Sequence, residues 1–158
     1  MDIRDTLTIF AQIAVAFAGF GGLAGLVAPK LGGDGAKLAA ARLRAVIEWA
    51  LVVVAFSLLP LVMLDLAPGE DLWRVLSACL ALSAVAHRLW VGPKLHDLPW
   101  GSRSYRTFTY LWLFGTAAIL LANGAGLFAS ATVVYLCGLL AYLFFAMLLF
   151  ARLLQSLI

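Results

Sequence analysis

Long apolar runs, broken by short stretches of glycine, proline and charge, dominate this chain. Five of them are long enough to read as membrane-spanning helices. The first runs from about residue 5 to 28 and ends at Pro29 and the Gly32-Gly33-Asp34-Gly35 turn. The second starts in a basic stretch near Ala39 and reaches about Leu66, where Pro68-Gly69 interrupts it. The third spans 71–91 and is closed by Gly92-Pro93. A polar loop with Lys94, His96, Asp97 and Arg103 leads into the fourth, 105–127. The fifth, 131–157, follows after only a few residues, so spans four and five are expected to be antiparallel neighbours.

Composition sharpens this into a membrane protein. Of 158 residues, 65% are hydrophobic and 12% charged, against roughly 25% charged in a soluble domain. A small soluble domain leaves too much surface wet to hide that apolar content. Lipid removes the difficulty, and about five spans of roughly 20 residues consume nearly the whole chain. The expected fold is therefore all-α: one bundle of five transmembrane helices across residues 1–158, with the lipid bilayer as its surroundings. The segment MDIRD carries two acids to one arginine, and Pro29 follows Ala28. Both features disfavour a cleaved signal peptide, so the first run reads as a retained span.

Charge sets the expected orientation. With five crossings, Lys30, Lys37, Arg42, Arg44, Arg88, Lys94, Arg103, Arg106 and Arg152 fall on one side. Only Arg4 and Arg74 of the 11 basic residues fall on the other. The positive-inside rule makes the first side cytoplasmic, with the N-terminus outside and the C-terminus inside. Span three is the short one: about 13 residues separate Arg74 from Arg88, roughly 20 Å against a hydrocarbon core of about 30 Å. Both arginines are long enough to snorkel, and Trp73 and Trp90 stand where an aromatic belt would lie. A re-entrant third helix would move the 92–103 loop outside and abolish most of the charge bias. The positive charge thus follows membrane sidedness, and no nucleic-acid partner is expected.

Polar residues inside apolar runs are the candidate chemistry. Glu48 lies inside the cytoplasmic end of span two, where an ionisable group is costly. Arg44 precedes it by one turn on the same face. Arg88, Arg106 and Arg152 stand near the same ends of spans three to five, so a charge cluster around Glu48 is expected. It is either an interhelical ion pair or an ion, proton or gating site. A second layer in the outer half contains Gln12, Ser57, Ser77 and Asn123, which either join helices or line a small polar cavity. Span one carries AFAGFGGLAGLVA, in which Gly21 and Gly25 form a GxxxG pair. Ala14, Ala18 and Gly22 recur at intervals of four, a pattern that lets helix backbones approach.

Other chemistry is sparse. His87 and His96 lack the spacing and the carboxylate partner of a metal site. Cys79 and Cys137 lie in apolar runs and read as inert small residues. Tyr135 and Tyr142 share a face of span five, with hydroxyls expected to be hydrogen-bonded or interfacial. No phosphate loop, dinucleotide fingerprint or nucleophile elbow occurs, so neither a cofactor nor an enzymatic activity is expected.

The stretches AVAFAGFGGL, RLRAVIEWALVVVAFSLLP, LANGAGL and YLCGLLAYLFFAMLLFARLL together resemble a widespread group of small, uncharacterised bacterial inner-membrane proteins. The resemblance implies a bacterial inner membrane and supplies no activity and no site residues. From the residues themselves, the leading expectation is a small channel or transport subunit. Five short spans give little room for a cavity inside one protomer, so a symmetric homo-oligomer is expected to provide the pore. The alternative is a non-catalytic membrane scaffold or partner-binding subunit.

Overall fold

The computed structural model describes residues 2–25, 33–65, 69–91 and 103–155. These form five helices: α1 (Ile3–Gly25), α2 (Gly33–Met63), α3 (Glu70–Val91), α4 (Arg103–Gly124) and α5 (Ala131–Gln155). The described residues contain no strand. Each helix holds a stretch long and apolar enough to cross a membrane, including Glu70–Trp90 in the short third helix. Even in α5, the best-covered helix, only 44% of the most apolar stretch is buried. Many large apolar side chains point outward: Phe20, Leu23, Leu51, Val62, Leu82 and Leu111 are each more than half exposed. Water would penalise a surface of that kind, whereas hydrocarbon does not.

Two helix ends differ from expectation. Gly33, Asp34 and Gly35 open α2 instead of forming a turn before it. The first turn of a helix makes few intrahelical N–H bonds, so glycine's low propensity is least harmful there. Helix α2 also continues through Pro60, and the Leu64 amide donates to the Pro60 carbonyl at 2.8 Å. Helix α4 ends at Gly124 although the apolar run continues through Leu127. Gly126 adopts φ +80°, the Leu127 amide donates to Ala122 O, and the Gly126 amide donates to Asn123 O. That pair of bonds is a Schellman stop, and the left-handed residue it needs is supplied by glycine. The expected span ends at 26–28, 66 and 156–157, and the 92–102 loop, lie outside the described residues.

The chain divides into two compact units. Unit one comprises Met1–Leu59 and Tyr142–Ile158. On α1, Leu7, Ala11, Ala14 and Gly21 point inward at helical spacing. A methyl at Gly21 would sit 3.4 Å from Leu43 and 3.5 Å from Val46, so the glycine brings α1 close to α2. Trp49 of α2 stacks on Tyr142 of α5 at 5.3 Å and meets Phe145 edge-on at 5.5 Å. Phe17 of α1 meets Phe150 of α5 edge-on at 5.8 Å. Such aromatic pairs add about 0.5–1.5 kcal/mol beyond their burial.

Unit two comprises Pro60–Ala141. Its interior stripe on α3 is Trp73, Leu76, Leu80 and Ala84, and on α4 it is Leu113, Ala117 and Leu120. Trp73 packs on Tyr135 of α5 at 5.4 Å. Small residues set the separations. A methyl at Gly124 would lie 3.0 Å from Ala78 Cβ and 3.3 Å from the Arg74 carbonyl. One at Gly138 would lie 2.6 Å from the end of Leu120. In lipid, where apolar burial drives association weakly, close backbone approach of this kind holds helices together.

Candidate functional site

The densest polar arrangement lies in unit two, where α3 starts, α4 stops and α5 starts. Asn123, Ser77 and Ala131 are all essentially buried. The Asn123 side-chain amide donates to Ser77 Oγ at 2.8 Å and to the Ala131 carbonyl at 2.9 Å. One side chain thus joins three helices. The Ala131 amide, one of the donors that the start of α5 cannot satisfy internally, donates to Glu70 Oε2 at 2.7 Å. A carboxylate there also complements the positive end of the helix dipole. Arg74 donates to Asp71 Oδ1 at 3.0 Å, and its guanidinium lies beside Gly126. Chemically, the arrangement is a set of caps and ties. The Asn123 Oδ1 acceptor is buried without a hydrogen-bond partner.

The four residues expected in an outer polar layer have different surroundings. Ser77 and Asn123 meet, which their comparable depth had suggested. Ser57 of unit one is fully buried, but its hydroxyl has no hydrogen-bond partner. Gln12 is exposed on α1. Glu70 is the member that the sequence pattern did not reveal. Its partner is a backbone amide 61 residues away, and such a long-range cap leaves no local signature.

Glu48 pairs with Arg44 through a 2.6 Å contact along one face of α2. The Glu48 side chain is 24% exposed and that of Arg44 is 64% exposed. The outward stripe of α2 explains the placement: Lys37, Arg44 and Glu48 give way to Leu51, Ala55, Leu58 and Val62. The helix from Arg44 to Met63 measures about 28 Å, close to a hydrocarbon thickness. Arg44 thus stands at one edge of the apolar layer and neutralises Glu48 in its first turn. At that depth an unpaired carboxylate would be costly, so Arg44 offsets part of the penalty of placing Glu48 there.

The other expected members divide between the units. Arg152 of unit one offers its backbone carbonyl to Arg42 Nη1 at 3.2 Å. Arg88 of unit two donates to the Tyr110 hydroxyl and lies 4.6 Å from the centre of that ring. This is a cation–π contact, worth about 0.5–1 kcal/mol at an exposed site. Of the span-one glycines, Gly21 faces α2, Gly22 has open space around it, and Gly25 closes the helix. Tyr135 and Tyr142 are both fully buried, and the Tyr142 hydroxyl lacks the expected hydrogen bond. Its ring is held by Trp49 stacking, which constrains where the hydroxyl can reach. Cys79 and Cys137 are free thiols on exposed faces. Among the described residues, no three His, Cys, Asp or Glu side chains converge as a metal site would require. Comparison with protein-family profiles, with curated proteins and with solved structures finds no match for this chain.

Proposed function

We propose that this chain is a non-catalytic, multi-pass subunit of a bacterial inner membrane, with its polar residues used to fasten helices and its apolar faces available to lipid and partners. The observation that carries this reading is the use made of the Asn123 amide. Both of its donors are committed to other helices, at Ser77 and Ala131. The Glu70 carboxylate is likewise committed to the start of α5. Polar groups occupied in this way supply rigidity and specificity of packing.

A channel or transport subunit is the second reading. It is favoured by Glu48, a carboxylate one turn inside the apolar layer with only 24% of its side chain exposed. Ion flux into liposomes separates the two. The scaffold reading expects no flux above protein-free vesicles, with wild type and Glu48→Gln indistinguishable. Flux that Glu48→Gln abolishes in a normally folded protein establishes the second reading instead.

The charge distribution supports an external N-terminus and a cytoplasmic C-terminus. In a chain with Cys79 and Cys137 replaced by serine, a membrane-impermeant maleimide applied to intact spheroplasts is expected to label Leu127→Cys, in the turn after α4. It is expected to spare Gln155→Cys, at the end of α5. Labelling of both or neither, or the reverse pattern, contradicts this orientation.

A further inference from the structure

Helix α1 turns a side-chain amide outward in the middle of its apolar run. Its membrane-crossing stretch is Ile3–Leu23, and Gln12 lies about 14 Å along the helix from one end and about 17 Å from the other. Even from Asp5, the last charged residue of α1, Gln12 is about 10 Å into the apolar layer. Its side chain is exposed on the folded chain, so at that depth its surroundings are hydrocarbon. The Thr6 and Thr8 hydroxyls, nearer the start, donate to backbone carbonyls four residues back, at 3.2 and 2.8 Å. The Gln12 amide, with two donors and an acceptor to satisfy, makes no hydrogen bond among the described residues. Lipid tails cannot replace water as its partner.

The surface around this amide permits close approach. Thr8, Ala16 and Gly19 share its face at helical spacing, and all are exposed. A methyl added at Gly19 or Gly22 would meet nothing within 4 Å, whereas one at Gly21 meets Leu43 and Val46. The glycines of α1 thus divide. Gly21 serves the contact with α2 inside unit one, and Gly19 and Gly22 leave an outward side of α1 thin.

We propose that the Gln12 face of α1 packs against the same face of a second copy, in a parallel two-fold dimer that pairs the two Gln12 amides. A primary amide is self-complementary about a two-fold axis: Gln12 Nε2 donates to the Oε1 of the partner's Gln12, and the reverse bond forms at once. An axis along the membrane normal brings residues of equal depth together, so the thin stretch at Gly19 faces its own equivalent and the backbones can approach. An apolar partner helix would leave the amide unmet. The contact goes beyond the scaffold reading and holds whether or not the chain conducts ions.

The test uses the full chain with Cys79 and Cys137 replaced by serine and Gln155→Cys carrying a donor or an acceptor dye. Labelled copies are reconstituted in phosphatidylcholine vesicles and diluted with lipid, and energy transfer reports their association. The otherwise unaltered chain is expected to associate reversibly. Gln12→Leu should weaken that association about eightfold, the worth of two interhelical hydrogen bonds. Gly19→Ile should weaken it as well. Gly115→Ile, which also projects into open space but from α4, should not. All three positions have room or exposure in the folded chain, so tryptophan fluorescence should report an intact fold. In a second measurement, Gly19→Cys as the sole cysteine should form disulfide-linked dimers on oxidation, and Leu111→Cys, exposed on α4, should not. One cysteine per chain can link only two copies. Energy transfer no greater than random crowding at every dilution would assign the α1 face to lipid or to another protein and overturn the proposal. So would equal crosslinking at both positions, or Gln12→Leu associating as tightly as the unaltered chain.

Discussion

Replacing Asn123 with aspartate is expected to prevent stable folding of unit two. The change preserves shape but removes both amide donors. It sets a carboxylate oxygen against the Ala131 carbonyl and leaves a charge at a position with no exposure. The Glu70 carboxylate, bound to the amide of the same Ala131, adds like-charge repulsion. Leaving a buried charge uncompensated costs about 3–5 kcal/mol, a large part of the stability of a small domain. Asn123→Ala is the graded control. It removes two interhelical bonds of about 0.6 kcal/mol each and should yield folded but less stable protein. Unfolding in mixed micelles of increasing dodecyl sulfate, followed by tryptophan fluorescence, ranks the three proteins. An aspartate variant as stable as wild type would show that the junction is wet or loosely packed.

The second large effect is expected at Gly124→Val. The first carbon added there already meets Ala78 Cβ at 3.0 Å and the Arg74 carbonyl at 3.3 Å. The latter is backbone of the facing helix and cannot rotate away, so α3 and α4 must separate. Overpacking of this kind costs about 1–3 kcal/mol. Separation also pulls at the Asn123–Ser77 bond one residue away, so the loss should exceed that of the same change at Gly115, which has open space. Gly138→Ala is a milder contrast, because the obstacle is the flexible end of Leu120. The same unfolding assay should order them Gly124→Val, then Gly138→Ala, then Gly115→Val; a flat series would contradict the close approach of α3 and α4.

The five helices were legible because lipid demands long apolar runs, and runs are a property of the sequence itself. Helix ends were less so. Hydropathy carries α4 onward to Leu127, while the Gly126 backbone halts it earlier, since a left-handed residue is a conformational signal that hydropathy does not register. The Asn123–Ser77 contact was foreshadowed by depth alone: two polar groups at one level in hydrocarbon have strong reason to meet. Glu70 gave no such hint, because near a helix start an acid reads as ordinary solvated charge. Glu48 drew attention for its depth, and its local partner Arg44 was visible one turn away; what only the structure supplies is how little of Glu48 is exposed.

The stacking of Trp49 on Tyr142 carries a consequence for biogenesis. Unit one is assembled from the beginning and the end of the chain. During synthesis, α1 and α2 enter the bilayer with one aromatic face uncovered, and that face stays against lipid while all of unit two is made. The last helix, on arrival, both extends unit two and seals unit one. Unit one is thus closed by α5, and nascent chains that stop short of that helix present to the membrane a surface that the folded unit conceals.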